Sequence, residues 1–272
     1  MAKDDMGVGF RAVDQTANPP SFLQYLETAN MVESIQVMKR RTFALLEVKE
    51  GYHLLDVGCG LGDDARVLAQ MVGSTGRVVG IDNSETMIAE ACRRATGLNL
   101  PVAYSVGDAH HLNFADNTFD GCRAERTLVH TNNPRQALAE MVRVARPGAR
   151  VVALDPELET LVIDAEDRAM TRKIVNLFRD SARNAWIARQ LRRLFHEANL
   201  TDIAMFADTV MLTTYAEANQ VLRLQETAER VQAAGMASEA EVTSWLKELE
   251  QADQAGHFFA GFTCFFASGR KP

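Results

Sequence analysis

Three glycines, Gly58, Gly60 and Gly62, follow the apolar run Leu54-Leu55-Asp56-Val57 and precede a helical pattern that starts at Asp63-Asp64-Ala65. Glycines between a strand and a helix let a ligand touch the main chain, because they accept positive φ and carry no Cβ. The charges around the loop narrow the ligand. A pyrophosphate would use the positive end of the helix, yet Asp63 and Asp64 fall in that first turn and Asp56 ends the strand. These carboxylates repel phosphates and suit a ligand carrying an amine and a sulfonium. Spacing alone does not exclude a dinucleotide, since Gly60, Gly62 and Ala65 satisfy GxGxxG in a shifted register.

Asp82 closes the run VVGID, where a carboxylate accepts hydrogen bonds from both hydroxyls of an unphosphorylated ribose. Further on, CRAERTLVH sets Arg123, Glu125, Arg126 and His130 beside the same ligand edge. His130 is the candidate general base, because an imidazole titrates close to neutrality; the alternative is a structural histidine bonded to backbone. Glu125 lines the cofactor side or pairs with Arg126, and either of the two could instead hold an acidic substrate group. No histidine–acid pattern suggests a metal.

The elements that must position these groups follow from periodicity. Short β-branched runs at about 53–57, 77–81, 102–106, 118–124 and 150–154 alternate with amphipathic stretches at about 63–72, 84–95 and 134–146. That alternation predicts βα units and an open, twisted, mostly parallel sheet. Residues 1–50 read as a helical cap over the ligand edge. After 155 a helical stretch runs to about 199, then a strand near 203–213, a second helical stretch to about 252, and a last strand within HFFAGFTCFFASGRK.

The 272 residues carry a formal net charge of -7 with no basic block, so nucleic acid is not an expected partner. No apolar run approaches a membrane span, and MAKDDMGVGF lacks the pattern of a secretory signal, so a cytoplasmic protein is expected. Cys59, Cys92, Cys122 and Cys264 stand apart and read as reduced thiols, Cys59 in the tight loop and the others in the core.

The segments LLDVGCGLG, VVGIDNSETMIAEA, VGDAHHLNFADNTFD and EMVRVARPGARVV occur in the order seen in class I S-adenosylmethionine-dependent methyltransferases. The resemblance is to the ubiquinone/menaquinone-biosynthesis group and covers roughly residues 35–155. It implies a Rossmann-like α/β fold with a seven-stranded sheet, helices on both faces and helical lids at both ends. A methyltransferase domain over 51–272 with insertions at about 157–199 and 214–256 follows. It also implies that Gly58, Gly60 and Gly62 line the methionine moiety, with Asp56 orienting the loop and the amine. Asp82 would hold the ribose, Asn83 and Met87 would lie by sugar and adenine, and Asp108 with Ala109 would read the adenine amine. His110 and His111 fall where the family has a variable short helix and are expected in solvent. Asn113 and Ala149 depart from the family's usual proline and glycine, both away from the cofactor.

The function expected is transfer of a methyl group from S-adenosylmethionine, leaving S-adenosylhomocysteine, to a small, fairly apolar acceptor such as a quinone-like ring, phenol or polyketide. Residues 10–45 and 214–256 would close over that acceptor, or pack on the domain or on a second copy in a homodimer. The alternatives are a cofactor-binding protein of this fold without methyl transfer and a nicotinamide-dependent oxidoreductase.

Overall fold

The computed structural model describes residues 6–272. Its centre is a seven-stranded sheet of β1 (His53–Val57), β2 (Arg77–Asp82), β3 (Val102–Val106), β4 (Phe119–Glu125), β5 (Ala145–Ile163), β6 (Thr201–Leu212) and β7 (Ala260–Arg270). The spatial order is β3-β2-β1-β4-β5-β7-β6. Neighbours from β3 through β5 are parallel, and β7 runs antiparallel to both β5 and β6. The central strands read as continuous apolar runs because helices cover both faces, so Leu54, Leu55 and Val57 are all buried.

The helices in chain order are α1 (Met6–Gly9), α2 (Pro19–Asn30), α3 (Glu33–Leu45), α4 (Asp63–Val72), α5 (Glu85–Ala95), α6 (Pro134–Val144), α7 (Arg168–Ser181), α8 (Ile187–Glu197), α9 (Tyr215–Leu222), α10 (Leu224–Ala233) and α11 (Glu239–Gln254). Local chemistry starts several of them. Ser84 Oγ accepts from Met87 N to cap α5, and the Asn133 side chain accepts from Gln136 N with Pro134 in the first turn of α6. The last three helices pack with α7 around the buried indole of Trp245. No helix among the described residues is long and apolar enough to cross a membrane.

Two expectations need correction. β5 continues to Ile163, whereas a strand ending at 154 and a helical insertion from about 157 were expected. Beyond Leu154 the strand has left β4 and is bonded only to β7, so Pro156, paired with Cys264, sits where one side of the ladder is already free. Glu157 in this extension is buried against the Arg189 guanidinium at 2.8 and 2.6 Å, so an acid can sit in this strand with its charge paired. Cys92, expected in the core, is exposed on α5.

Candidate active site

A cavity of about 450 Å³ opens at the carboxyl ends of β1, β2 and β4 and is roofed by residues of α2, α3, α7 and α9. This is where an open α/β sheet binds ligands, since strand ends turn there into loops.

The glycine loop forms one wall. Gly58 N and Cys59 N both donate to Ile81 O at 2.8 and 2.9 Å, fixing the loop to β2. Gly60 has φ of 50° and a Cβ there would meet only Leu26 Cδ1 at 3.1 Å, so this residue leaves room at the cavity. Gly62, expected beside the ligand, is not in the cavity wall. It is the left-handed N-cap of α4, and a Cβ there would strike the Tyr104 ring at 2.5 Å, so it serves packing.

Behind the loop lies a buried cluster of three acids and three bases. Arg123 donates to Asp56 Oδ1, Asp64 Oδ2 and Glu125 Oε2, each at 2.8 Å, and to Thr42 Oγ1 at 2.7 Å. Lys39 of α3 donates to Asp64 Oδ2 at 2.8 Å and Glu125 Oε2 at 3.0 Å, and Arg126 Nε donates to Glu125 Oε1 at 2.9 Å. Asp64 is thus an interior ion-pair partner rather than only a helix-starting acid. Buried charges must be paired in this way or they neutralise. Burial pushes Asp56 up to about 6 against the pull of Arg123, with the Asp64 charge adding to the rise. Glu125 goes the other way: burial opposes its charge, but Lys39, Arg126 and Arg123 hold it well below the usual carboxylate range. Asp56 Oδ2 is buried with no partner among the described residues, and Asp56 lines the cavity.

Asp82 stands at the end of β2, its Oδ2 accepting from Gly60 N and its Oδ1 from Ser84 N, each at 3.0 Å. Burial raises its pKa, and those two backbone donors offset part of the rise. Asn83, Met87, Asp108 and Ala109 also line the cavity. Over them lies the N-terminal segment. Asp14 takes Ser84 Oγ and Glu85 N at 2.7 Å each and Thr86 N at 3.2 Å, and Asn83 Nδ2 donates to Arg11 O at 3.3 Å. His110, expected in solvent, has a side chain only 17% exposed. Asn133 N donates to its Nε2 at 3.1 Å, so Nδ1 carries the proton and donates to Asp108 Oδ1 at 2.5 Å. Burial opposes the Asp108 charge, but hydrogen bonds from the His110 backbone and ring hold its pKa below the usual value.

His130 lines the far part of the cavity, its ring 5.3 Å from that of Phe10. Burial lowers its pKa to about 4, with Arg11 and Arg126 adding to the fall, so the imidazole is neutral at pH 7. Its Nδ1 is sealed from water and has no partner among the described residues. Leu158, Leu161, Phe178, Val221 and Phe262, drawn from β5, α7, α9 and β7, add apolar side chains to the cavity wall.

Residues 55–153 match a family model described as a methyltransferase domain. The demethylmenaquinone methyltransferase of Staphylococcus aureus (strain MRSA252) is 34% identical over 186 residues, covering 63% of this chain and 77% of that protein. The chain belongs to the class I S-adenosylmethionine-dependent methyltransferases. The chain is also 37% identical over 251 residues to an uncharacterized 37.1 kDa protein in transposon TN4556 of Streptomyces fradiae, covering 90% of this chain and 70% of that one. The YcgJ protein of Bacillus subtilis superposes with a TM-score of 0.59 at 17% identity, covering 88% of this chain and 98% of that one, which shows a shared fold.

The methyltransferase uses S-adenosylmethionine, and the donor set suits that cofactor: at the glycine loop lies a buried carboxylate oxygen of Asp56 with no partner among the described residues, which fits a cationic group. Asp56, Gly58, Gly60, Asp82, Asn83, Met87, Asp108, Ala109, Glu125 and His130 meet around one cavity. The expected ion pair between Glu125 and Arg126 is present, and it occupies the Glu125 oxygen that Lys39 and Arg123 leave. Sequence reasoning missed Lys39, Asp14, Tyr25 and Arg223. Lys39 sits in an apolar helical stripe, and Asp14 gives no sign that its helix partner lies 70 residues away.

Proposed function

We propose that this methyltransferase passes the methyl group of S-adenosylmethionine to a small, fairly apolar acceptor of secondary metabolism: a quinone-like ring, phenol, polyketide or similar molecule. One observation carries the reading: the cavity lined by the acidic glycine loop is also lined by His130 and by the apolar side chains of Leu158, Leu161, Phe178, Val221 and Phe262. Isolated free thiols favour work in the reducing cytoplasm.

The sulfonium supplies an already activated methyl group, so this chain's task is to hold two partners in line and keep water out; such alignment accounts for about 7–11 kcal/mol of a barrier. Asp56 Oδ2 would bind the methionine ammonium, Gly58 and Gly60 would let the main chain approach it, and Asp82 would accept from the ribose hydroxyls. Asn83 and Met87 flank the sugar and adenine, while Asp108, oriented by His110, and Ala109 read the adenine amine. Glu125 contributes by holding Arg123 and Lys39 behind the loop. Neutral His130 would accept a proton from the acceptor as the methyl group arrives, giving about 10²–10⁴-fold.

The test is incubation with methyl-deuterated S-adenosylmethionine and a panel of such acceptors, read by mass spectrometry. A product heavier by one labelled methyl group supports the proposal. Tight cofactor binding with no transfer to any member would favour the binding protein without turnover.

A further inference from the structure

The cavity wall contains charged hydrogen-bond donors that an entirely apolar guest would leave unanswered. Arg126 lines the chamber with its side chain 23% exposed, and only its Nε is used, donating to Glu125 Oε1. Among the described residues neither terminal nitrogen of Arg126 has a hydrogen-bond partner. Glu125 meets it through Oε1 alone, its Oε2 being taken by Arg123 and Lys39. The backbone supports a positional role: Arg126 holds φ of 51°, in the left-handed region that a long side chain avoids, and its N–H donates to Leu154 O at 2.7 Å.

The surroundings fit the same reading. Tyr25, from the N-terminal cap, lies within electrostatic reach of both Arg126 and Arg223, and its hydroxyl donates to Val221 O at 3.1 Å. Arg223 joins α9 to α10, also lines the chamber and also has φ of 51°, but Glu226 answers its charge at 2.8 Å. Of these two arginines, Arg126 is the one whose planar fork is open among the described residues. A fork of parallel N–H donors in an apolar wall selects a flat oxyanion, because two charge-assisted hydrogen bonds form together and a neutral guest leaves the cation desolvated.

We propose that the acceptor is an organic anion, an apolar body bearing one ionised oxygen group such as a carboxylate or acidic enol, and that the terminal nitrogens of Arg126 hold that group. This rests on the methyltransferase reading and narrows its substrate class.

The experiment is calorimetric titration of the full chain loaded with S-adenosylhomocysteine, using matched probes: 1-hydroxy-2-naphthoate against its methyl ester, and 4-hydroxycoumarin against 4-methoxycoumarin. The ionised member of each pair should bind about tenfold tighter or more. Arg126→Gln should shrink that preference to within about twofold while S-adenosylhomocysteine affinity stays unchanged, and Arg126→Lys should keep part of it. Equal or tighter binding of the neutral members would overturn the proposal. So would a loss of about tenfold or more in S-adenosylhomocysteine affinity in Arg126→Gln, which would put the fork on the cofactor's own carboxylate. If Arg126→Gln does not fold, the wild-type pairs decide. Failure of the wild type to bind S-adenosylhomocysteine at all would instead strike the methyltransferase reading.

Discussion

Asp56 and Arg123 are cross-strand partners in the register of β1 and β4, and they meet at 2.8 Å with side chains 2% and 1% exposed. The second oxygen of that carboxylate has no partner among the described residues. The guanidinium therefore holds an acid in the interior while one of the acid's oxygens stays unpaired among the described residues beside the cavity.

That arrangement has a pH signature. Asp56 titrates at about 6 because burial disfavours its charge. A bound ammonium favours the carboxylate, so its pKa falls on binding, a proton leaves, and affinity rises as pH climbs through about 6. Without ligand the sign is opposite for stability: the folded value lies above the unfolded one of about 3.9, so the contribution of Asp56 is lost as pH rises through that window. Calorimetry of S-adenosylhomocysteine binding at pH 6 in buffers of different ionisation enthalpy should show proton release, absent in Asp56→Asn. Buffer-independent heats in the wild type would contradict the role.

Arg123→Met should destabilise the fold by about 3–5 kcal/mol, because it leaves Asp56, Asp64 and Glu125 with only Lys39 and Arg126 inside the protein. Urea unfolding measures it, and a loss below about 1 kcal/mol would mean that the cluster is not held by this guanidinium.

Asp14→Ala should release the N-terminal segment from the start of α5, at a cost of about 0.5–2 kcal/mol typical of a lost helix cap. Amide exchange should quicken across 6–16 and at Glu85 and Thr86, while the sheet is unchanged. Unaltered exchange there would show that the segment is anchored elsewhere.

His130→Ala should lower turnover with cofactor affinity intact. Because His130 titrates at about 4, its neutral form persists across the neutral range, and activity should show no acid limb near 6.5 from this group. Its stabilising contribution is present above the ordinary histidine value and is lost as pH falls towards 4. Parallel loss of thermal stability and activity in the variant would make it a structural histidine.

Much of this was readable in the chain. The expected 53–57 and 102–106 coincide with β1 and β3, since each is a short apolar run between turn residues. That the glycine loop and Asp82 share one cavity was legible because each sits at the carboxyl end of its own strand, β1 and β2. What escaped was set by tertiary packing. A lysine in the stripe of Ile35, Met38 and Phe43 reads as a solvated residue until its acids arrive from α4 and β4. Gly62 matches a ligand motif yet faces Tyr104, which motif spacing cannot distinguish. Arg126 appeared beside Glu125 as an ion pair, and only the cavity shows which of its nitrogens are left over.

The most direct test is parallel calorimetric titration with S-adenosylmethionine, S-adenosylhomocysteine and NAD, on the wild type and on Asp82→Ala. The first two should bind and NAD should not, and Asp82→Ala should weaken binding by about 1.5–3 kcal/mol, the worth of hydrogen bonds to a charged partner. Binding of NAD alone, or undiminished affinity in Asp82→Ala, would contradict the assignment of this loop.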